Sequence, residues 1–387
     1  PAAVGGLSPG RLPLSSSIED EGIRIPPTLW SDDVRARIAA ASRTPDEREG
    51  DLRAQFAANR RGAERLREWL PRAGFAAAAA ELQDHSERFM RSILADCPRG
   101  SWTFEDHLDG DGHDSGPIPI RCRVTLDGRQ ARVDFTGTAP GVRGPVNVPR
   151  AVTVSAVMYA FRCLAPPELP SNSGYMRCID VVTEPGSLVD ARYPAAVAAG
   201  NVETSQRITD VVFGALAGAL PERIPAASCG SMNNILIGGT DPTGHPFAYY
   251  ETIAGGAGAA PGAPGASAVQ THMTNTLNTP IEALEHAYPF RITRYALRDD
   301  SGGRGTAPGG DGVVREYTFD TPATVTLMTE RRDTPPWGLD GGGPGRTGRN
   351  VLIRDNAETL LPAKVSLEVS PGDTIRIETP GGGGAGR

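Results

Sequence analysis

Lysine is almost absent from this sequence of 387 residues: Lys364 is its only lysine, and the other basic residues are arginines. A GxxxxGK[ST] phosphate-binding loop is therefore excluded, and a Schiff base could form only at this one position. The sequence also lacks an HExxH motif, which argues against the common metalloproteases.

Other scarce features concern the compartment and the partners. The five cysteines are scattered, odd in number and never in a CxxC pair, which argues against a disulfide framework or a thiolate zinc site and favours a reducing compartment. The net charge of −7 argues against a nucleic-acid surface. No apolar run approaches the ~18 residues of a membrane span, and the first ten residues lack the layout of a signal peptide. We therefore expect a cytoplasmic protein without nucleic-acid or membrane partners.

Glycine and proline are abundant, at 47 and 34 residues, which predicts many turns rather than long helical bundles. The patterns divide the chain into an N-terminal loop and helical segment (1–72, the remainder of a longer N-terminal region), an α+β core that carries the candidate site (73–300), and a β-rich C-terminal module (301–387). The predicted fold class is α+β, with multi-layer mixed and antiparallel sheets and packed helices. Helices are predicted over 32–42, 46–70, 76–97, 152–164 and 203–219. Alternating apolar and polar residues predict a strand within IPIRCRVTLDG (118–128), and further strands are predicted over 175–183 and at several places after 300.

The stretch GNVETSQR, residues 200–207, crowds polar side chains at the start of a predicted helix. Asn201 can cap this helix. The free backbone N–H groups at the start of the helix can stabilise the Glu203 carboxylate or bind an anion. Side chains four apart share a helix face, so Glu203 and Arg207 are predicted to face one cleft. An ordinary capped helix is the alternative, although a single turn does not need five hydrogen-bonding side chains, which here include Ser205 and Gln206.

A second polar stretch surrounds His272 in QTHMTNTLNTP. Asn275 and Asn278 make a polar surface before a helix predicted to start at Pro280. A hydrogen-bonded structural histidine is the alternative. The glycine- and alanine-rich tract 255–268, entered through Glu251 and beginning with Gly255 and Gly256, is predicted to lie against a ligand or another chain. The functional interpretation has this loop and His272 line one pocket.

Two further motifs have competing interpretations. The stretch EDHLDGDGHD (105–114) fails the calcium-loop test, because position six counted from Asp109 is not glycine and position twelve is not glutamate; a solvated hairpin turn is predicted instead. Arg331, Arg332 and Trp337 lie in TERRDTPPWGLDGGGPG. Arginine pairs suit phosphate or carboxylate but also occur in interfaces, as tryptophan does, and both interpretations stay open.

These residues resemble one family, the hydantoinase B/oxoprolinase group, which includes the B-type subunits of ATP-dependent hydantoinases, 5-oxoprolinases, caprolactamase-like enzymes and a related acetone carboxylase subunit. The matching blocks follow in order over nearly the whole chain: GGLSPG (5–10), EGIRIPP (21–27), GDLRAQFAAN (50–59), DFTGT (134–138), RGPVNVP (143–149), AAVAAGNVETSQRITDVVFGAL (195–216), PAASCGSMNN (225–234), YYETIAGGAGA (249–259), THMTNTLNTPIE (271–282), LRDDSGGRGTAPGGDGVVRE (297–316), LMTERRDTPPWGLDGGGPG (327–345) and ETPGGGG (378–384).

The resemblance implies a hydrolase that opens cyclic amides such as hydantoins, lactams or 5-oxoproline. ATP with Mg²⁺ would be handled by a separate A-type partner that phosphorylates the carbonyl oxygen, in a hetero-oligomer, and this chain would process the activated intermediate. Glu203, Glu251 or His272 would act as the base, and Arg207 would hold the phosphate. The expected substrate-binding residues are Asn201, Ser205, Gln206, Arg207, Asn233, Asn234, Gly255, Gly256, Asn275 and Asn278. A carboxylase subunit and a non-catalytic scaffold that only binds the A-type subunit are the alternatives.

The first residues depart from the family pattern. Pro1 and Ala3 stand where the resemblance implies a histidine and an aspartate of a metal site. We therefore expect that the chain is either truncated at its N-terminus or degenerate in metal binding, and that it holds no metal itself.

Overall fold

The computed structural model describes residues 14–113 and 115–387. Within these residues the helices are α1 (Ile18–Glu21), α2 (Asp32–Ala41), α3 (Pro45–Trp69), α4 (Phe75–Ala95), α5 (Arg150–Cys163), α6 (Ser205–Ala217) and α7 (Ile281–Ala287). None of these described helices is both long and apolar enough to cross a membrane.

The strands form three sheets. Their bounds are β1 (Gly100–Leu108), β2 (Ile118–Leu126), β3 (Ala131–Asp134), β4 (Ile179–Val182), β5 (Asn234–Thr240), β6 (Pro246–Glu251), β7 (Phe290–Arg298), β8 (Gly312–Phe319), β9 (Ala323–Met328), β10 (Arg349–Arg354), β11 (Ala357–Leu361), β12 (Lys364–Val369) and β13 (Thr374–Glu378). The strand orders are β1-β2-β3-β4, β11-β10-β13-β8-β7 and β12-β9-β5-β6, and only β3 and β4 pair in parallel among these described strands. The predicted α+β class is confirmed.

Strands from both sides of residue 300 share a sheet, because β5 pairs with β9 and β9 with β12. The change of sequence pattern near this residue therefore does not coincide with a break in hydrogen bonding. The three-part division of the chain stays a prediction.

Two local predictions need correction. The strand predicted over 175–183 begins as a 3₁₀ helix, Ser173–Cys178, because the Asn172 side chain accepts a hydrogen bond from the Gly174 amide and starts a turn. The sequence patterns do not predict strands β7 and β11. Both are largely exposed edge strands of their sheet, so they lack the clear apolar alternation of a half-buried strand.

Helix α6 lies in the main core, where twelve of its thirteen residues are buried. It packs on β1, β2 and α5. The chain enters it at Gly200, where a Cβ atom would lie 2.0 Å from the Asn147 carbonyl oxygen. Only glycine allows so close a backbone approach, and this contact fixes where the helix begins.

The glycine-rich segments pack backbone against backbone. Gly310 N donates to Ala257 O at 2.9 Å, and Gly382 N donates to Gly310 O at 2.9 Å. A Cβ atom on Gly256 would lie 1.9 Å from Gly310 O. The tract 255–268 thus lies mainly against other segments of its own chain, and the expectation that it lies against a ligand or another chain stays a prediction.

Candidate functional site

The entry to α6 differs from a capped helix. Residues Gly200–Thr204 form a π-helical turn without a side-chain cap, and Asn201 is exposed. The first backbone N–H groups are already used, since Ala199 N and Gly200 N donate to Pro145 O at 2.9 and 3.1 Å. The expected Asn201 cap is wrong, and these N–H groups are not free for an anion. π-Helical turns are frequent at functional sites.

One face of α6 is polar although the helix is buried. Glu203, Gln206, Arg207 and Asp210 follow the spacing of a single helix face, and Glu203 and Arg207 are both 0% exposed. The two side chains therefore do not line an open cleft, which corrects that expectation. Burying four such side chains is costly unless they are paired, so their partners define the site.

The partners come from the ends of β1, β9 and β12. We call the following nine residues the polar cluster: Asp106, Asp109, Glu203, Arg207, Asp210, Glu330, Arg331, Arg332 and Lys364. Arg207 lies 3.5 Å from Asp106 and from Glu330. Lys364 forms an ion pair with Glu330. Because these partners are far apart in sequence, only the folded chain brings the charges together.

Arg331 is fully neutralised within the polar cluster. It contacts Asp106 at 2.8 Å and Asp210 at 2.6 Å and is 0% exposed. Burial would raise the pKa of Asp106, but the charges of Arg331 and Arg207 outweigh burial and lower it. Arg331 is therefore paired inside the fold as a counter-ion of these two carboxylates, and its expected role in an interface or a phosphate site stays a prediction.

Glu203, like Asp109 and Arg332, has no ion-pair partner among the described residues, and besides Asp210 it is the carboxyl group of the polar cluster that is left with an unpartnered oxygen. Its Oε1 accepts hydrogen bonds from Asn234 Nδ2 at 2.5 Å and from Met232 N at 3.2 Å. Its Oε2 is buried and has no partner in the part of the chain that the structure describes. Burial, and then the charge of Glu330, raise the pKa of Glu203 to about 8. The side chain is therefore a neutral acid at pH 7, which leaves four carboxylates against four cations in the cluster.

His272 lies beside Asp210 and Gln206. Its Nε2 is 3.6 Å from Asp210 Oδ1, and Gln206 Nε2 donates to the neighbouring Thr271 O at 3.1 Å. Burial lowers the pKa of His272, with Asp210 opposing it, so the imidazole is neutral at pH 7. His272 Nε2, Asp210 Oδ1 and Gln206 Oε1 are buried without hydrogen-bond partners among the described residues, and such atoms point to a bound polar group or water.

Arg332 is the cation whose charge is least compensated. Its guanidinium donates to the neutral oxygens of Asn233 at 2.8 Å, Asn350 at 2.8 Å and the Glu330 backbone at 2.7 Å. Burial lowers its pKa to about 10, although Glu203 opposes this, so Arg332 remains charged at pH 7. A buried cation hydrogen-bonded only to neutral groups is suited to hold an anion.

Two adjoining cavities reach the polar cluster from the surface. The first has a volume of about 500 Å³ and Arg332 and Arg349 on its wall. The second has a volume of about 290 Å³ and is lined by Asp109, His113 and Lys364. Both share Asp333, Pro362 and Ala363 as lining residues. The larger cavity is of the size that small-molecule sites have.

Glu251 belongs to a different cluster. It pairs with Arg315 at 3.1 Å, accepts a hydrogen bond from the Tyr317 hydroxyl and accepts one from Asn278 Nδ2 at 2.8 Å. We call Glu251, Asn278, Arg315 and Tyr317 the second cluster. Tyr250, next to Glu251 in the chain, donates its hydroxyl to Asn234 Oδ1 at 2.6 Å, and Asn234 in turn donates to Glu203 of the polar cluster. The structure therefore separates Glu251 and Asn278 from Glu203 and His272.

The remaining predicted residues lie as follows. Asn275 is exposed, and the Ser205 hydroxyl donates to the Asn201 carbonyl at 2.7 Å. Gly255 and Gly256 are buried between segments of their own chain. The Trp337 ring lies 5.2 Å from that of Phe104. Their expected binding roles stay predictions.

The sequence patterns do not identify several members of the polar cluster. β1 and β2 pair as the predicted hairpin, but Asp106 and Asp111 are only 5% and 1% exposed, so these two acidic residues are not simply solvated. Asp210 could have been found, because it lies seven residues after Glu203 on the same helix face. Lys364 stands out in the sequence as the only lysine, but nothing there gives it a role. Glu330 carries no signal beyond its position next to Arg331.

The described residues contain no group of three or more His, Cys, Asp or Glu side chains arranged to hold a metal ion. Pro1 and Ala3, on which the metal expectation rests, lie outside the described residues.

Comparisons with known proteins, by sequence and by structure, point to one family. The chain is 39% identical to an uncharacterized protein of Methanocaldococcus jannaschii, with 99% of this chain and 68% of that protein covered. It is 37% identical to 5-oxoprolinase 1 of Arabidopsis thaliana, with 100% and 32% covered. It is 34% identical to the putative B-type subunit of a D-/L-hydantoinase from a Pseudomonas strain, with 87% and 59% covered. The chain thus spans about a third of the plant relative.

Solved structures with the same fold include the ATP-dependent caprolactamase from Pseudomonas jessenii, with a TM-score of 0.90, 31% identity, and 99% of this chain and 70% of that chain covered. Acetone carboxylase matches with a TM-score of 0.84 at 17% identity, covering 100% and 59%, a likeness of fold alone. The hydantoinase B/oxoprolinase profile matches residues 2–387. The chain belongs to the hydantoinase B/oxoprolinase family.

Proposed function

We propose that this chain is the B-type part of an ATP-dependent cyclic amide hydrolase. An A-type partner binds ATP and Mg²⁺ and phosphorylates the carbonyl oxygen of a hydantoin, lactam or 5-oxoproline-like ring. This chain then hydrolyses the activated intermediate. The relatives named as 5-oxoprolinase, as a hydantoinase of the B type and as ATP-dependent caprolactamase support the reaction class.

One observation carries the proposal: the carboxyl group of Glu203 is buried with one oxygen unpartnered among the described residues, in the same cluster as Arg332, whose guanidinium donates only to neutral oxygens. The two groups are close enough for their charges to affect each other's pKa. An acid that stays protonated at pH 7 can donate a proton, and a buried cation can hold a phosphoryl group.

The chemistry needs such an acid. When water adds to the activated carbon, the carbon carries a hydroxyl, the phosphoryl oxygen and the ring nitrogen. Loss of phosphate would regenerate the cyclic amide, whereas cleavage of the C–N bond opens the ring and leaves an acyl phosphate, which a second water hydrolyses. Protonation of the ring nitrogen favours the second course, because an amine leaves far more readily than an amide anion.

We assign the roles accordingly. Neutral His272 accepts the proton of the attacking water, and Asp210 stabilises the imidazolium that forms. Glu203 gives its proton to the ring nitrogen as the C–N bond breaks. Arg332, on the wall of the larger cavity, holds the phosphoryl oxygens. Gln206 Oε1 accepts a hydrogen bond from the substrate.

The test uses the chain co-purified with an A-type subunit. ATP consumption and ring opening are measured separately over hydantoins, lactams and 5-oxoproline. Glu203→Gln should keep phosphate release but reduce ring opening by about 100-fold, since general acid catalysis supplies about that factor. Glu222→Gln, an exposed residue just after α6, is the matched control.

Two outcomes would contradict the proposal. A Glu203→Gln complex that opens rings at the wild-type rate would remove Glu203 from the chemistry. A wild-type complex that opens no ring with any of these substrates would favour the non-catalytic scaffold. No observation on the described residues favours the carboxylase alternative.

A further inference from the structure

Helix α3 is long and has no buried residue. It runs over Pro45–Trp69, which is 25 residues. Within the described residues, α2 is the one helix or strand that packs closely against it, and the Trp30 ring before α2 lies 4.7 Å from that of Phe56. Isolated helices are marginal in water, and most helices gain their stability by burying an apolar face. An unpartnered helix of this length therefore points to a surface that is covered by something else.

The sequence of α3 has a regular apolar seam. Its positions alternate at intervals of four and three residues: Leu52, Phe56, Asn59, Ala63, Leu66 and Leu70. This is the a/d spacing of helices that pair along their length. At a rise of ~1.5 Å per residue the seam is about 27 Å long, enough for a stable helix-to-helix contact.

The seam is exposed. Phe56, Leu66 and Leu70 are 40%, 47% and 56% exposed, and Trp69 beside them is 46% exposed. Of the large hydrophobic residues that are exposed among the described residues, nine of fourteen lie between Ile23 and Leu82. An apolar groove of about 300 Å³, lined by Ile23, Ile25, Ile38 and Leu52, continues the seam at its N-terminal end. Such concentrations of apolar surface mark interaction sites.

Arginines follow one edge of the seam. Arg53, Arg60 and Arg67 each come directly after a d position, seven residues apart. Arg53 pairs with Glu49 at 2.8 Å, whereas Arg60 and Arg67 make no ion pair with any residue that the structure describes. Residues at this edge pair with charges on the partner helix and decide which partner is accepted. A partner helix that pairs with this edge should therefore carry carboxylates opposite Arg60 and Arg67.

A second copy of the chain does not supply them. Antiparallel pairing about the middle of the seam would place Arg60 opposite Arg60 of the other copy, and like charges repel. Parallel pairing would place Arg60 and Arg67 opposite Gln55 and Gly62, which are neutral. Neither arrangement gives these arginines a carboxylate.

We propose that α3 is the docking site for an amphipathic helix of another polypeptide, whose apolar seam is flanked by carboxylates. This inference does not depend on the proposed catalytic function. The apolar seam provides the affinity, and Arg60 and Arg67 select an acidic partner.

Two synthetic helical peptides of about four heptads test the proposal. Both have leucine at the a and d positions; one has glutamate and the other lysine at the positions that flank the seam. Binding to the full chain is measured by fluorescence anisotropy. The acidic peptide should bind at least about tenfold more tightly than the basic one, and this preference should weaken with salt.

Charge-reversed variants distinguish an effect of the arginines beside the seam from an effect of the net charge of the chain. Arg60→Glu with Arg67→Glu should reverse the preference for the acidic peptide. Arg61→Glu with Arg65→Glu is the matched control on the opposite side of the same helix, where these arginines pair with Glu64 and Glu68. Circular dichroism checks that each variant folds.

Four results would overturn the proposal. The acidic peptide could fail to bind or could bind no better than the basic one. The control pair could change binding as much as the seam pair. The chain alone could form dimers that Leu66→Asp abolishes, which would make a second copy the occupant. It could also bind anionic vesicles in a manner that depends on Leu66, which would make a membrane the occupant.

Discussion

The protonation state of Glu203 predicts how the stability of the protein depends on pH. An exposed glutamate has a pKa near 4.3 in the unfolded chain, whereas burial and Glu330 raise the folded value to about 8. The folded state therefore holds a proton that the unfolded state has lost between these pH values. The contribution of Glu203 to stability is fully present below the unfolded pKa, falls as the pH rises, and reaches its minimum above about pH 8.

The expected magnitude follows from the linkage between proton binding and folding. In this window each pH unit costs roughly 1.4 kcal/mol, so the free energy of unfolding falls by about 5 kcal/mol from this group alone. Glu203→Gln removes the titration but keeps the shape, and its side-chain oxygen can still accept from Asn234 and Met232. The variant should therefore be nearly as stable as the wild type at pH 5 and more stable at pH 8.

Urea unfolding at half-unit intervals from pH 5 to pH 8.5 measures both proteins, and their difference cancels titrations that they share. The reasoning is refuted if the two curves run parallel, because Glu203 would then be ionised in the folded state. Glu330→Gln is the contrasting variant: it leaves Arg207 and Lys364 without their shared carboxylate and should cost about 3–5 kcal/mol at pH 7.

The remaining predictions concern the partner, the glycine segments and the second cluster. The isolated chain should not hydrolyse ATP, since Lys364 is its only lysine and it has no P-loop; steady ATP turnover that a point mutation of this chain abolishes would contradict this. Gly256→Ala should lower the melting temperature by several degrees, because the new Cβ would meet Gly310 O, whereas Gly50→Ala, with open space around it, should leave it unchanged or slightly raised. Glu251→Gln should lower the urea midpoint by an amount equivalent to about 3 kcal/mol, since it leaves Arg315 buried with a neutral partner; an unchanged midpoint would show that this pair does not stabilise the fold.

Local patterns predict most elements because local rules govern them. The helical spacing of 46–70 and 203–219 and the alternation in 118–126 need no knowledge of the fold. Edge strands β7 and β11 are not predicted, because their exposure at the sheet edge removes that alternation. The 3₁₀ helix at Ser173–Cys178 is not predicted, because it depends on a single capping side chain, that of Asn172.

The sequence by itself determined the family, the α+β class and the shared helix face of Glu203 and Arg207, since blocks of residues and helical periodicity are properties of a linear chain. Only the tertiary structure decided which of these groups is charged and which is paired. Arg207 and Glu330 lie in contact although 123 positions separate them in the sequence. The pKa of Glu203 is raised by burial and by the charge of that same Glu330 carboxylate. A pKa depends on desolvation and on charges nearby in space, and neither can be read from neighbours in sequence.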